Sequence, residues 1–151
     1  MMSSRAKYAV RATAMLARNE AVDAWTSASE IAEHEGIPRK FLEAILVELR
    51  DVGLVESRRG PGGGHRLGRP ARDISVADVL RCIDGPLALT PCASRTRFGP
   101  CTDCEEMAFC PLKGLMRQAR DAVAEVLENC SLDGLTVPGG RGRAVKRMTK
   151  R

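Results

Sequence analysis

Four cysteines, Cys92, Cys101, Cys104 and Cys110, fall within 19 residues in the pattern C-x8-C-x2-C-x5-C, in a stretch that also carries Pro91, Gly99, Pro100 and Pro111. Proline and glycine punctuate regular elements, so the four thiols are expected to share a loop between two helices, where they can converge on a metal. Structural zinc knuckles show two close cysteine pairs, and here there is one C-x-x-C. Thiolates ligate zinc and iron-sulfur clusters alike, so ligand softness leaves both open. A thioredoxin-type redox motif would need a strand and helix context that nothing near Cys101 and Cys104 suggests. Cys82 lies beside Leu80 and Ile83 on a helix, and Cys130 continues a seam with Val123, Val126 and Leu127, so both are read as small buried hydrophobes. His34 is read as a solvent-facing helix residue and His65 as part of a hairpin; neither is taken as a ligand.

The second chemistry is electrostatic. The 151 residues carry a net charge of +5, unevenly placed. Residues 1–72 hold 12 Lys and Arg against 9 Asp and Glu, 73–133 hold 6 against 10, and 134–151 hold 6 against none. Basic ends suit a polyanion such as DNA, because each neutralised phosphate releases counterions and adds sequence-independent affinity. Charge alone is weak evidence, since a basic tail is often only a solubilising extension. Residues after Pro138 are rich in glycine and basic residues and bury little apolar surface, which predicts a disordered tail.

The elements that carry these groups can be read in order. A basic first helix carries Tyr8, Ala12, Met15 and Leu16 on one apolar face. Ser27-Ala28-Ser29-Glu30 fits a capping box that starts a short helix ending near Gly36. Gly36-Ile37-Pro38 makes a tight turn into a second helix, from about Pro38 to Val52. Phe41, Leu42, Ile45, Leu46 and Leu49 form its packing stripe, with Arg39, Lys40, Glu43, Glu48 and Arg50 largely outside it. Two helices joined by so short a turn form a helix-turn-helix, whose second helix enters the DNA major groove through its N-terminal residues. Arg39, Lys40 and Phe41 are therefore the candidates for base or phosphate contact. An ordinary helical hairpin would share this pattern; the glycine-rich stretch beyond Gly53 separates the two.

Gly53 ends the helix, Leu54–Ser57 reads as a strand, Arg58-Arg59-Gly60-Pro61-Gly62-Gly63-Gly64 as a turn, and His65–Leu67 as the return strand. Such a hairpin beside a recognition helix is a wing. Arg58 and Arg59 at its base can meet phosphates or enter a narrow minor groove. A nucleotide-binding loop is discounted, because no Gly-Lys-Ser/Thr follows and His65 breaks the dinucleotide fingerprint.

Beyond the cysteines, Leu112, Leu115, Met116, Ala119, Val123, Val126 and Leu127 form a narrow apolar stripe, which packs either within the chain or against its copy in a dimer. No apolar run exceeds four residues, so no membrane span is expected. No export signal precedes the six cysteines, and the chain is read as cytoplasmic with reduced thiols. No carboxylate pair, nucleophile-histidine arrangement or phosphate loop stands out, so no enzyme is expected. The fold class is mainly α: a winged helix-turn-helix with a small β-hairpin wing (1–88), a cysteine-rich loop (89–111), a long dimerisation helix (112–133) and the basic tail (134–151).

Lys7-Tyr8-Ala9-Val10, Ser29-Glu30-Ile31-Ala32, Gly36-Ile37-Pro38, Gly53-Leu54-Val55 and the Arg-Gly-Pro-Gly-Gly-Gly wing, followed by the cysteines, resemble a bacterial winged-helix regulator family. That family includes the iron-sulfur regulator IscR, the nitric-oxide sensor NsrR and the iron regulator RirA. The resemblance covers roughly residues 3–135. It implies a homodimeric transcription factor, usually a repressor, that reads a two-fold-related operator in double-stranded DNA, with the cysteine loop near the partner's DNA-binding domain. By similarity the DNA contacts are Ser29, Arg39, Lys40, Phe41, Glu43, Arg58, Arg59, Gly62, Gly63 and His65, with Glu43 at a position that tunes site choice. His65 replaces an expected tyrosine. Of the family's three loop cysteines, Cys92, Cys104 and Cys110 match best and Cys101 is additional. The relatives' fourth ligand, a histidine after the last cysteine or an aspartate in the first helix, is replaced by Lys113 or Lys7. The expectation is therefore an iron-sulfur cluster on Cys92, Cys101, Cys104 and Cys110, 2Fe-2S slightly favoured over 4Fe-4S; the alternatives are a zinc-bound or metal-free regulator that senses thiol oxidation and, of another class, an iron-sulfur redox protein.

Overall fold

The computed structural model describes residues 2–136. The predicted disordered tail lies outside the described residues from position 137 onward.

Helix α1, Ser4–Asn19, begins where the Ser3 hydroxyl accepts from the Ala6 amide. Ala6, Ala9 and Ala12 are fully buried at three-residue spacing, with Met15 and Leu16 below them. Small residues at that spacing let neighbouring helices approach closely. Tyr8, half-buried, packs against the same cluster as Ala12, Met15 and Leu16, as the apolar face predicts.

The next two helices, α2 (Ala28–Glu35) and α3 (Arg39–Asp51), meet through the predicted turn. Ser27 accepts from the Glu30 amide, so the serine half of the predicted capping box forms. The Ile37 amide donates to the Ala32 carbonyl, 2.9 Å away, closing the end of α2. On α3, Leu42, Ile45, Leu46 and Leu49 are buried. Each removes enough apolar surface from water to stabilise the fold by about 1.5–3 kcal/mol. Phe41 departs from the predicted stripe: it is 55% exposed. Its ring sits one residue off the face that meets α1 and α2.

The hairpin pairs β1 (Val55–Arg58) with β2 (Gly64–Leu67) in antiparallel register, Glu56 opposite Arg66 and Ser57 opposite His65. Arg58 and Gly64, expected in the turn, belong to the strands. A further helix, α4 (Val76–Asp84), starts with a complete capping box between Ser75 and Asp78. Its buried face, Val76, Ala77, Val79 and Leu80, packs against α1 and α3.

Residues 85–111 carry the cysteines across to α5, Leu112–Glu128. Cys130 lies just past the end of α5, capped at Asn129, yet packs with Leu127 against the same Ala6, Val76 and Leu80 cluster. Its carbonyl accepts from the Val76 amide at 2.8 Å, and Ser131 bridges Ser75. The chain then re-enters the winged-helix core: Leu132 is fully buried among α1, α3 and α4 residues, and Leu135 packs on the same cluster. Among the described residues no helix is long and apolar enough to cross a membrane.

Candidate nucleic-acid interface and thiol site

The exposed start of α3 carries Arg39, Lys40, Phe41 and Glu43. Arg39 Nε donates to Glu43 Oε1 at 2.8 Å, one helical turn on. This exposed pair adds little stability but restrains both side chains on one ridge. Lys40 has no ion-pair or hydrogen-bond partner among the described residues and extends into solvent. Ser29 is exposed near the start of α2.

Behind this face lies a cluster that sequence reasoning missed. The Glu35 carboxylate, at the end of α2, accepts from Arg18 at 2.7 Å and Arg11 at 3.2 Å, both on α1, and lies 3.1 Å from His34 Nδ1. Arg11 also donates to the Glu35 carbonyl oxygen. Burial would raise this carboxyl, but the hydrogen bonds from His34 and Arg11 and the charge of Arg18 outweigh it and hold its pKa below the ordinary value. The clamp ties α1 to the helix that precedes the recognition helix.

In the wing, Gly63 and Gly64 are required by close backbone approach. A Cβ on Gly63 would collide with the Arg58 carbonyl oxygen, and one on Gly64 would stand 2.6 Å from the Thr26 carbonyl oxygen. Gly64 also has φ +146, which side-chain-bearing residues rarely adopt. His65 donates its amide to Thr26 and accepts from the Thr26 amide, so residues around Thr26 extend the hairpin edge. Its ring lies 2.8 Å from Ser57 Oγ, and burial, with the positive charge of Arg50, lowers its pKa. Arg58 donates to the Gly62 carbonyl oxygen at 2.6 Å, whereas Arg59 has no partner among the described residues. Gly62 thus contributes its backbone to fixing a wing cation.

Trp25 and Arg66 were not singled out from sequence. Arg66 bridges Glu56 and Asp23, each at 2.9 Å, and it and Arg58 stack on the Trp25 ring. One tryptophan in a chain with 3% aromatics, just before a helix cap, was the available signal.

The four loop cysteines come together. Cys92, buried on a short 3-10 turn at Pro91–Ala93, lies within interaction range of Cys101 and Cys104, and Cys104 within range of Cys110. A hydrogen bond between the Thr90 hydroxyl and the Cys92 sulfur, 3.4 Å long, leads the effects that lower the Cys92 pKa, with the Lys113 charge contributing. Burial pushes the Cys101 and Cys104 thiols up, as do their neighbouring sulfurs. Among the described residues no group of three or more donors stands in metal-holding geometry, although Cys101 also lies within electrostatic range of Cys104. As a donor set, four soft thiols on one segment fit an iron-sulfur cluster or zinc.

The segment is held to α5. Arg120 donates to the Ala93 carbonyl oxygen and pairs with Asp121 at 2.7 Å, and Arg95 reaches Asp121 at 2.6 Å. Lys113, in the first turn of α5, donates its amide to the Cys110 carbonyl at 3.3 Å. On the outer side of α5, Leu112, Leu115, Val123 and Val126 are exposed, beside an apolar groove of about 280 Å3 lined by Met2, Leu80, Leu87, Leu89, Val123 and Leu127.

A helix-turn-helix with an arginine-bearing wing defines a winged-helix DNA-binding regulator. The family described as "Rrf2: Iron-dependent Transcriptional regulator" matches residues 2–138. The chain belongs to the Rrf2 family of transcriptional regulators. It is 36% identical over 142 residues to the "Putative HTH-type transcriptional regulator rrf2-like" of Rhodobacter capsulatus, covering 92% of this chain and 94% of that protein. It is 35% identical over 137 residues to the HTH-type transcriptional regulator IscR of Vibrio atlanticus, covering 89% and 73%. The structure of CymR, the global cysteine regulator of B. subtilis, superposes with a TM-score of 0.72 at 29% identity, covering 90% of this chain and 95% of that one. The family and these relatives are transcriptional regulators and not enzymes.

Proposed function

We propose that this chain is a cytoplasmic, homodimeric transcriptional repressor whose binding to a double-stranded operator is controlled by an iron-sulfur cluster held by Cys92, Cys101, Cys104 and Cys110. The observation that carries the reading is the meeting of four thiols on a segment clamped to α5, in a chain whose other end is a winged helix-turn-helix. Bound there, a cluster would supply a centre responsive to oxidation, nitric oxide or iron supply, with 2Fe-2S preferred over 4Fe-4S.

The chain's own residues do the rest. Lys40, Arg39 and Phe41 present the recognition helix, Glu43 orients Arg39, and Arg58 and Arg59 bring the wing to the phosphates. Ser29, Gly62, Gly63 and His65 shape or flank these contacts. Arg120 and Arg95 pass a change in the cysteine segment to α5. The uncovered apolar side of α5 and its groove suit a second copy, which would set the spacing of two recognition helices. An effector shifts operator affinity only so far as it binds the two arrangements differently.

A second reading is favoured by the free thiols lying close together without a metal-holding group of three or more donors among the described residues: a regulator that senses by thiol oxidation without a cluster, or that holds zinc. The likeness to a cysteine regulator supports it. The deciding experiment is the iron, acid-labile sulfide and zinc content of anaerobically purified protein, its visible spectrum before and after air, and its mass in solution. Iron and sulfide in near-equal amounts with bleachable colour support the cluster. Zinc alone, or no metal, overturns it in favour of the second reading.

A further inference from the structure

Trp25 lies between the end of α1 and the start of α2, and its ring is shared by two guanidinium groups, Arg58 at 4.7 Å and Arg66 at 4.5 Å from the centroid. The two cations differ in their surroundings. Arg66 is neutralised by Glu56 and Asp23. Arg58 has no carboxylate among the described residues; the indole face and the Gly62 carbonyl are what hold it. Next to Trp25, Thr26 is locked to the wing by two backbone hydrogen bonds with His65, 2.9 and 2.8 Å long. The indole is therefore fixed to the hairpin and does not drift with its own loop.

We infer that Trp25 is the positioning residue for DNA engagement by the wing: it holds the uncompensated Arg58 guanidinium extended, ready for a phosphate of the duplex backbone. Arginine loses much rotamer freedom when it docks, and an arginine already ordered on an aromatic face loses less. Arg66, neutralised by its acids, holds the same ring in place. Arg59, without partners, bears the full ordering cost on binding. The inference rests on the DNA-binding reading and assigns its wing contacts unequal roles.

The test uses the full-length protein and a mixed-sequence 30-base-pair duplex, titrated over a range of salt. Arg58→Ala removes a phosphate contact, so the slope of log affinity against log salt becomes shallower by about 0.9. Trp25→Leu is expected to weaken binding about threefold to fivefold with the slope unchanged, the scale of an exposed cation–π contact. Trp25→Phe restores most of the loss, and in the Arg58→Ala background Trp25→Leu has no further effect. Melting temperatures of all variants separate loss of fold from loss of positioning, and the double-mutant cycle identifies Arg58 as the group through which Trp25 acts. Equal affinities of Trp25→Leu and wild type, or additive losses in the double variant, overturn the inference alone. Failure of the wild type to bind any duplex overturns the DNA-binding reading and this inference with it.

Discussion

Arg120, on the second turn of α5 beyond Lys113, donates to the carbonyl oxygen of Ala93, the residue that follows Cys92. The side chain is 14% exposed, and it also holds Asp121, which in turn holds Arg95. One arginine thus fastens the backbone of the thiol segment to α5 and also lines the apolar groove beside that helix.

Replacing Arg120 by Ala is expected to leave duplex binding near the wild-type level while removing its dependence on the state of the thiols. Coupling between sites in such regulators typically amounts to about 5- to 150-fold in affinity. The check is operator affinity of reduced and oxidised protein: a ratio near one in Arg120→Ala, against a large ratio in wild type. An undiminished ratio in the variant means that the clamp does not carry the signal.

Cys101→Ala separates a four-thiol site from a three-thiol one. Outer-shell partners of a metal already contribute about 10- to 100-fold to affinity, so loss of a true ligand lowers it at least that much. Cluster content after anaerobic reconstitution is expected to fall in Cys101→Ala and to stay unchanged in Cys82→Ala, whose thiol faces the Glu48 carbonyl between α4 and α3. Unchanged content in Cys101→Ala would remove that residue from the ligand set.

Arg59 and Lys40 have no partners among the described residues to give up on binding. Each replaced by Ala should make the salt dependence of duplex affinity shallower by about 0.9, and the double variant by twice that, since the two lie on separate elements. A slope that stays put in Arg59→Ala places that arginine away from the phosphates.

The Glu35 clamp predicts an acid-sensitive contribution to stability. Its carboxyl pKa is held below the ordinary value in the folded chain, so the stabilisation is complete above the unfolded value near about 4.3 and is lost as pH falls through the folded one. Glu35→Gln should cost about 1–3 kcal/mol at neutral pH, the range for hydrogen bonds to a charged group. The gap between the two unfolding curves should close in acid. A gap independent of pH would assign the loss to packing instead of charge.

Much of this architecture is legible in the chain because its signals are local. Ser27 capping, the Gly36–Pro38 turn and the glycine-rich wing each sit within a few residues of the element they start or stop. The cysteines were legible as a cluster for the same reason. What escaped were relationships across sequence distance. Glu35 meets arginines 17 and 24 residues earlier, Arg66 meets Asp23 across 43 residues, and Arg120 reaches Ala93 across 27. None of these pairs has a spacing rule, and each depends on helices already docked. The Ser75 and Asp78 capping box is local and readable, yet only a helix around Leu80, Cys82 and Ile83 is expected, without its start. Phe41 shows the limit of periodicity: it fits the spacing of the packed stripe yet faces solvent, because a stripe has edges that spacing does not define.

The return of Leu132 to the core gives the thiol segment and α5 the topology of an insertion rather than an appendage. Both ends of this excursion are stitched to the same small unit, one through α4 and the other through the Ser75 and Ser131 bridge. A helix mounted at two points can tilt or roll but cannot swing free, so under the proposed function a disturbance among the thiols would arrive at the DNA-binding unit as torque on α4 and α1. Shortening the chain to end at Asn129 would therefore not yield a trimmed, always-on binder. It would leave a Leu-sized void in the core, worth about 2–5 kcal/mol, and the reader of DNA would be lost together with its sensor.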